Sequence, residues 1–595
     1  MEIRLIDRTS VSNERVIVSS FSQDSSAGSA GLTRRKFVSH GTVALACAVG
    51  MSQRRALAYA ETSQRVEAQT TYGRIRGLKT NGLSTFKGVP YSGSVSGANR
   101  FKAAARLQPW TGVRDALKSG PPSLQPGMRP SFGTSEDMPA EDCLFLNVWT
   151  PAADGRRRPV MFYSHGGGFT VGSGGAPYQD ASNLARDWDV VVVATNHRLG
   201  LMGFLYLGEL GGEEYATSGN QGLLDICDGL KWVHDNIAVF GGAPNNVMIF
   251  GESGGGAKTS CLYAMPSANP YFNKASIESG PGIRMLPRDM ATETTLMVMK
   301  QLGLGKNEWR KLLDVPAEKL LALQVDLGKQ PGGGPLTMSG GRRGIGGGGR
   351  PGGFGPVVDG SILPHDPFDP EAPAISKNKP LIVGYNRDET IFFFMESHNT
   401  DVFNLTEASL KERLQKEFGD RAEDVFNTYR KSRPEASPTD LYIAISSARM
   451  IGFGSITIAE RKYAQHRAPV YAYIFTYESQ RIVPGTQHKV GAAHALEIAY
   501  KFDLIRPRET VSGSEPQQTA TQTMMDTGPD SVKTAENMSQ MWSTFARTGK
   551  PGAKGQPEWP AYDTVRRATM LINAECKVVD DPFGQERSLW ERLEP

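Results

Sequence analysis

Ser253 stands between glycines in Gly251-Glu252-Ser253-Gly254-Gly255. A serine hydroxyl attacks a carbonyl only when a base takes its proton and donors hold the oxygen that becomes charged. Backbone donors are available in Ser164-His165-Gly166-Gly167-Gly168-Phe169, where successive glycines let the main chain approach a substrate oxygen. The N–H groups of Gly167 and Gly168, with that of Gly254 directly after the serine, are expected to form a three-donor oxyanion hole. The base must be a histidine, and those beyond Ser253 are His365, His398, His466, His488 and His494. His494 lies among small residues, Gly491-Ala492-Ala493-His494-Ala495, that let a loop pack closely, but spacing alone does not separate it from His488. For the orienting acid, Asp388 and Glu389 both follow the apolar run Leu381-Ile382-Val383-Gly384. These neighbours point opposite ways, and the choice between them stays open at this level.

The serine must be held out from its surroundings, and the flanking segments are suited to do so. The apolar run Val247–Phe250 predicts a buried strand leading into the glycine-serine turn, and Ala257–Met265, mostly uncharged, predicts the helix that follows. A strand-to-helix turn of this kind is a nucleophile elbow, and the helix N-terminus adds N–H groups and partial positive charge beside the hydroxyl. Further strands are expected at Pro159–Ser164, Val190–Thr195 and Leu381–Gly384, each a near-continuous apolar run of the sort buried on both faces. A helix is expected over Gly222–Asn236, with Cys227 as a core residue. Short strands alternating with longer helical patterns from about Val66 onward predict an α/β fold, a large central, mostly parallel twisted sheet with helices on both faces. Two stretches interrupt the pattern. Pro331–Gly355 is more than half glycine and is expected to be a flexible surface insertion, and Thr510–Ser531 is polar and expected to be an exposed loop. Neither separates two complete sheet patterns, so residues 61–595 are taken as one catalytic domain.

The chain has 595 residues, 39% hydrophobic and 22% charged, with Lys+Arg 66 against Asp+Glu 62. That balance excludes a disordered acidic protein and a basic nucleic-acid binder, so no nucleic-acid partner is expected. The five cysteines form neither a disulfide scaffold nor a zinc-ligand spacing, and no metal or organic cofactor is expected. The net charge of +4 is accounted for entirely by residues 1–60. There Thr33-Arg34-Arg35-Lys36-Phe37-Val38 precedes a mildly apolar run, Gly41–Met51, and then Ala58-Tyr59-Ala60. This order predicts a twin-arginine signal peptide over 1–60, a passing partnership with the twin-arginine export machinery, and a periplasmic or secreted protein without a membrane span.

Several longer motifs in sequence order carry a resemblance. Glu141-Asp142-Cys143-Leu144-Phe145-Leu146-Asn147-Val148-Trp149, the triple glycine, Gly219-Asn220-Gln221-Gly222-Leu223-Leu224-Asp225, Phe240-Gly241-Gly242, the elbow, Trp542–Gly549 and Trp559-Pro560-Ala561-Tyr562 resemble the type-B carboxylesterase (cholinesterase-like) family of α/β hydrolases. The resemblance runs from about Gly73 to near the C-terminus and implies the α/β-hydrolase sheet with a helical cap and gorge. In the family the triad acid is the Glu of an Asn-x-Asp-Glu-Gly pattern, here Asn386-Arg387-Asp388-Glu389-Thr390. The resemblance therefore implies Ser253 as nucleophile, His494 as general base and Glu389 as orienting acid.

The sequence also departs from the family. Members often pair the cysteine of Glu-Asp-Cys with one in an upstream Gly-Pro-x-Cys-like stretch, where this chain has Gly120-Pro121-Pro122-Ser123, so Cys143 is expected to be a buried free thiol. The loop Gln125–Asp142 lacks the tryptophan that cholinesterases stack on a quaternary ammonium, which argues against choline esters. Gly254 replaces the usual alanine and is expected to keep its N–H while loosening the turn. His197 replaces the usual tyrosine and is expected to pack rather than react. Glu252 is expected to brace the elbow, with tuning of the local field as its other reading. Phe169, Phe392, Phe393, Phe394 and Met395 are candidates for an acyl pocket or for core. The resulting expectation is a serine carboxylic ester hydrolase for small or aryl esters working through an acyl-enzyme. Against it stand a non-catalytic cholinesterase-like binding protein, which the presence of every triad and donor residue disfavours, and a lipase or amidase with the same triad.

Overall fold

The computed structural model describes residues 64–126, 138–329, 352–505 and 524–593. The expected signal peptide lies outside these residues, as do most of the glycine-rich insertion and positions 510–523 of the polar stretch. Among the described residues thirteen strands build one sheet. They are β1 (Gln64–Gln69), β2 (Arg74–Thr80), β3 (Leu83–Pro90), β4 (Val113–Asp115), β5 (Phe145–Thr150), β6 (Arg158–Ser164), β7 (Val191–Thr195), β8 (Gly242–Glu252), β9 (Lys274–Glu278), β10 (Leu381–Asn386), β11 (Val470–Phe475), β12 (Ala568–Ile572) and β13 (Lys577–Asp580). The order across the sheet is β1-β2-β3-β5-β7-β6-β8-β9-β10-β11-β12-β13, with β4 beside β2. Every neighbouring pair from β7 to β12 is parallel, and the strands outside them close the two edges in antiparallel pairs, except β4, which lies parallel to β2.

The expected apolar runs are the central strands; three extend by a residue or more, because backbone pairing continues where side-chain patterning stops, while the run Val190–Thr195 forms a strand only from Val191. β8 shows this most, running from Gly242 to Glu252 against β6 and β9. Alternation along these strands feeds two cores. Val160, Phe162, Val191, Val193, Val247 and Ile249 face one, with α1 (Gln221–Asn236) contributing Leu223, Ile226, Leu230 and Val233. Met161, Tyr163, Val192, Met248 and Phe250 face the other. Each such side chain, fully buried, contributes about 1.5–3 kcal/mol, so one-residue register slips in the central strands are excluded. The nucleophile helix α2 (Gly254–Ala264), α3 (Thr390–Glu396), α4 (Leu496–Lys501) and α5 (Pro529–Thr548) follow in chain order.

Two expectations are corrected at their ends. The polar stretch ends inside helix α5, whose Ser531 is buried, and Met524 is wholly buried as well. The last residues of the glycine-rich insertion are also tied down: Gly352 N donates to Thr294 Oγ1 at 2.8 Å, and Phe354 is buried. Among the described residues one helical stretch, Pro438–Tyr463, is long and apolar enough by composition to cross a membrane. Most of it is packed inside the fold, where Leu441, Tyr442, Ile443 and Ile445 join the second core.

Candidate active site

Ser253 caps α2 at the end of β8 with φ +57° and ψ −124°. A positive φ in a non-glycine residue stores about 1–3 kcal/mol of strain, and neighbouring contacts hold it there. Ser253 N donates to Glu278 O at 2.9 Å, and Ala257 N donates to Ser253 O at 3.1 Å. A Cβ on Gly251 would overlap the Gly255 backbone, and one on Gly255 would overlap the Ser164 carbonyl, so glycine at both positions lets the turn close against β6.

His494 precedes α4 on a loop whose next residue, Ala495, has φ +65°. Its Nδ1 lies 2.5 Å from Glu389 Oε2, and both side chains are buried. Glu389 Oε1 in turn accepts from Asn386 N at 2.8 Å. The structure thus brings together Glu389 and His494 and gives the alternatives other work. Asp388 Oδ2 accepts from Ala492 N at 2.9 Å and pairs with Arg387, so it clamps the loop that carries His494. His488 is tied to Asp440 at 3.0 Å, at a half-buried position of its own.

On the far side of the imidazole, Nε2 lies 3.2 Å from Glu252 Oε1. Among the described residues that oxygen has no other hydrogen-bond partner, and it faces the imidazole edge. Burial pushes the Glu252 carboxyl well above the usual carboxylate range, and the positive charge His494 acquires works in the opposite direction. Burial likewise raises Glu497, whose Oε2 receives Asn386 Nδ2 at 2.5 Å. Glu278 is neutralised by Lys501, an ion pair with no exposed surface, and also accepts from Trp542 Nε1 at 2.6 Å.

The glycine strand before the expected donors runs alongside the serine. Gly167 and Gly168 have φ +82° and +62°, and a Cβ on Gly254 would overlap Cα and the carbonyl of Gly168. Glycine at 254 therefore does more than relax the turn: it lets the two donor-bearing segments meet. Phe393 and Phe392 place their ring centroids 4.8 and 5.7 Å from that of His494, whereas Phe394 packs in the core against Phe403 and Tyr442. Phe169 is buried against Phe204. Cys143 is a free, fully buried thiol pushed up to about 12 by burial, with the Ser123 hydroxyl beside it working the other way. His197 packs as expected, stacked on His165 with ring centroids 4.6 Å apart.

The sequence pattern of the Carboxylesterase family matches residues 64–590. The chain belongs to that family. Relatives of this carboxylesterase include the para-nitrobenzyl esterase of Bacillus subtilis, 33% identical over 522 residues that cover 87% of this chain and 97% of the relative. The phenmedipham hydrolase of Pseudarthrobacter oxydans is 32% identical, covering 85% and 95%. Among solved structures, a carboxylesterase of Geobacillus stearothermophilus matches with a TM-score of 0.73 and 34% identity, over 88% of this chain and 100% of the other. The fold is that of the α/β-hydrolase carboxylesterases, and the protein is a hydrolase of carboxylic esters. Sequence reasoning passed over one charged residue near the nucleophile. Lys258, the sole charged residue of α2, is fully buried, and a lysine in so apolar a helix was the available signal.

Proposed function

We propose that Ser253, His494 and Glu389 hydrolyse small or aryl esters through an acyl-enzyme, with the N–H groups of Gly167, Gly168 and Gly254 receiving the oxyanion. The observation that carries this reading is the buried 2.5 Å contact between His494 Nδ1 and Glu389, with His494 Nε2 lying 3.2 Å from Glu252, the residue before a serine held at positive φ. A carboxylate accepts, so the hydrogen resides on Nδ1 and the Nε2 lone pair is left to act as base. Ser253 Oγ bonds to the carbonyl carbon while its proton passes to Nε2. The bond to the leaving alcohol then breaks as the imidazolium returns that proton to the alcohol oxygen. Water attacks the acyl-serine by the same route, releasing the acid and restoring the hydroxyl. Glu252, 3.2 Å from Nε2, stabilises the imidazolium during both halves.

The substrate class is supported by the names of the relatives, one a para-nitrobenzyl esterase and another a phenmedipham hydrolase, and by the Phe392 and Phe393 rings beside His494. Export by the twin-arginine route is supported by the order of regions in residues 33–60. Fractionation of cells expressing the full chain checks it: replacement of Arg34 and Arg35 by lysine should retain the protein in the cytoplasm. For the reaction, p-nitrophenyl esters from acetyl to dodecanoyl are compared on wild type and Ser253→Ala. Hydrolysis strongest for short chains and reduced by about 10³-fold or more in the alanine variant is expected. Equal rates in the two folded proteins would refute the reading.

A further inference from the structure

Lys258 lies one turn into the nucleophile helix, with no exposed surface and no ion-pair partner among the described residues. Its Nζ donates to His165 O at 3.0 Å. His165 Nδ1 lies 2.9 Å from Gly166 O, and a carbonyl only accepts, so the imidazole donates from Nδ1. Two successive peptide carbonyls are therefore held from behind, one by an ammonium and one by an imidazole. The second belongs to the peptide whose N–H is that of Gly167. In a trans peptide C=O and N–H point opposite ways, so fixing this carbonyl fixes the aim of a donor assigned to the oxyanion hole.

The groups around Lys258 leave it as the source of positive charge. His165 and His197 are stacked at 4.6 Å, and burial with the nearby ammonium depresses both well below the ordinary histidine range, so both are neutral. Neither ring nitrogen of His197 has a hydrogen-bond partner among the described residues. Phe169 lies beneath the ammonium, its ring centroid 5.8 Å from Nζ. From β8, Glu252 reaches the other side of the glycine strand: a Cβ on Gly166 would lie 3.0 Å from its Oε2. A buried cation without a counter-ion is costly unless its field is used. Here it sits behind a strand where negative charge develops.

We propose that Lys258 is a positioning residue for the oxyanion hole, holding the His165–Gly167 strand against the nucleophile helix and lending its charge to the tetrahedral intermediate. This rests on the acyl-transfer reading above. Burial pulls the lysine down to about 7, so the charge is present below that pH and is lost above it.

The test compares wild type, Lys258→Met and Lys258→Gln on p-nitrophenyl acetate, each first shown to melt cooperatively. A phenyl trifluoromethyl ketone, which forms a tetrahedral adduct with the serine, serves as second probe. Loss of an oxyanion donor costs about 10²–10³-fold, and an indirect support less, so Lys258→Met should lower kcat by about 10- to 100-fold. KM should change little, and ketone affinity should fall by the same factor as kcat. Lys258→Gln, which can still donate to His165 O, should recover part of kcat. In wild type, ketone affinity should weaken as pH rises past about 7, and both variants should lack that limb. A folded Lys258→Met enzyme with wild-type kcat and ketone affinity overturns the proposal. If that variant does not fold, wild-type kcat and an unchanged pH limb in Lys258→Gln overturn it equally. Failure of the underlying reading looks different: hydrolysis by wild type would then persist in Ser253→Ala.

Discussion

A methyl group on Gly254 has no room beside the Gly168 backbone, so an alanine at this position would push the oxyanion strand and the nucleophile helix apart. Gly254→Ala is accordingly expected to lower kcat by about 10-fold or more, within the range seen when an oxyanion donor is displaced. The melting temperature should fall, because forcing two backbone segments apart costs about 1–3 kcal/mol, more than the roughly 1 kcal/mol that alanine gains over glycine in a helix. Steady-state kinetics beside a thermal melt checks both, and a variant with unchanged kcat would show that the close approach does not matter. Neighbouring residues show how far the site was legible. Ser253 and the glycines were readable because their chemistry and their backbone freedom are local properties. Asp388 and Glu389 were not separable by residue type or strand context. What separates them is that Asp388 meets Ala492 N and Arg387 while Glu389 meets His494, and such long-range contacts have no local signature.

At the level of elements, the apolar strands announced themselves because burial on both faces demands unbroken Val, Ile and Phe runs. The antiparallel edge strands did not, since β1 and β13 are half exposed and mix charges with small residues. The loop preceding β5 offers a test of how these elements are fastened. Ser123 stands beside the Cys143 thiol and also receives Leu199 N at 3.2 Å through its hydroxyl, so it fills the place of a disulfide partner with a weaker tie. Ser123→Cys should close a bond to Cys143 under oxidising conditions. Closing a loop of this length stabilises by about 3 kcal/mol in the chain-entropy account. Thiol titration under denaturation should find two fewer thiols than in the reduced variant, and the melt should rise only in the oxidised sample. Two thiols still free after oxidation would show that the side chains are held apart.

Across the whole molecule, carboxyl groups of Glu252, Glu389 and Glu497 are buried near the sheet centre with Lys501 already committed to Glu278. Water no longer solvates these groups, so burial raises each of them above the usual carboxylate range, with Glu389 held as the acceptor of the His494 N–H. For Glu252 burial raises the pKa from 4.5 to about 8. A carboxyl whose pKa is raised on folding contributes stability in full below its unfolded value and loses it as pH rises through the folded one. Glu252→Gln keeps the shape of the protonated acid and removes the titration. The variant and wild type should therefore be close in stability at pH 5, and the variant should gain relative to wild type between pH 4.5 and about 8.5. At the upper end the variant should be the more stable of the two by on the order of a few kcal/mol. Denaturant titrations of both proteins at pH 5 and pH 8.5 measure it. A gap that stays constant between the two would mean that Glu252 is ionised throughout. Its charge would then be permanently matched by His494, and the imidazolium, not burial, would govern the electrostatics of the site.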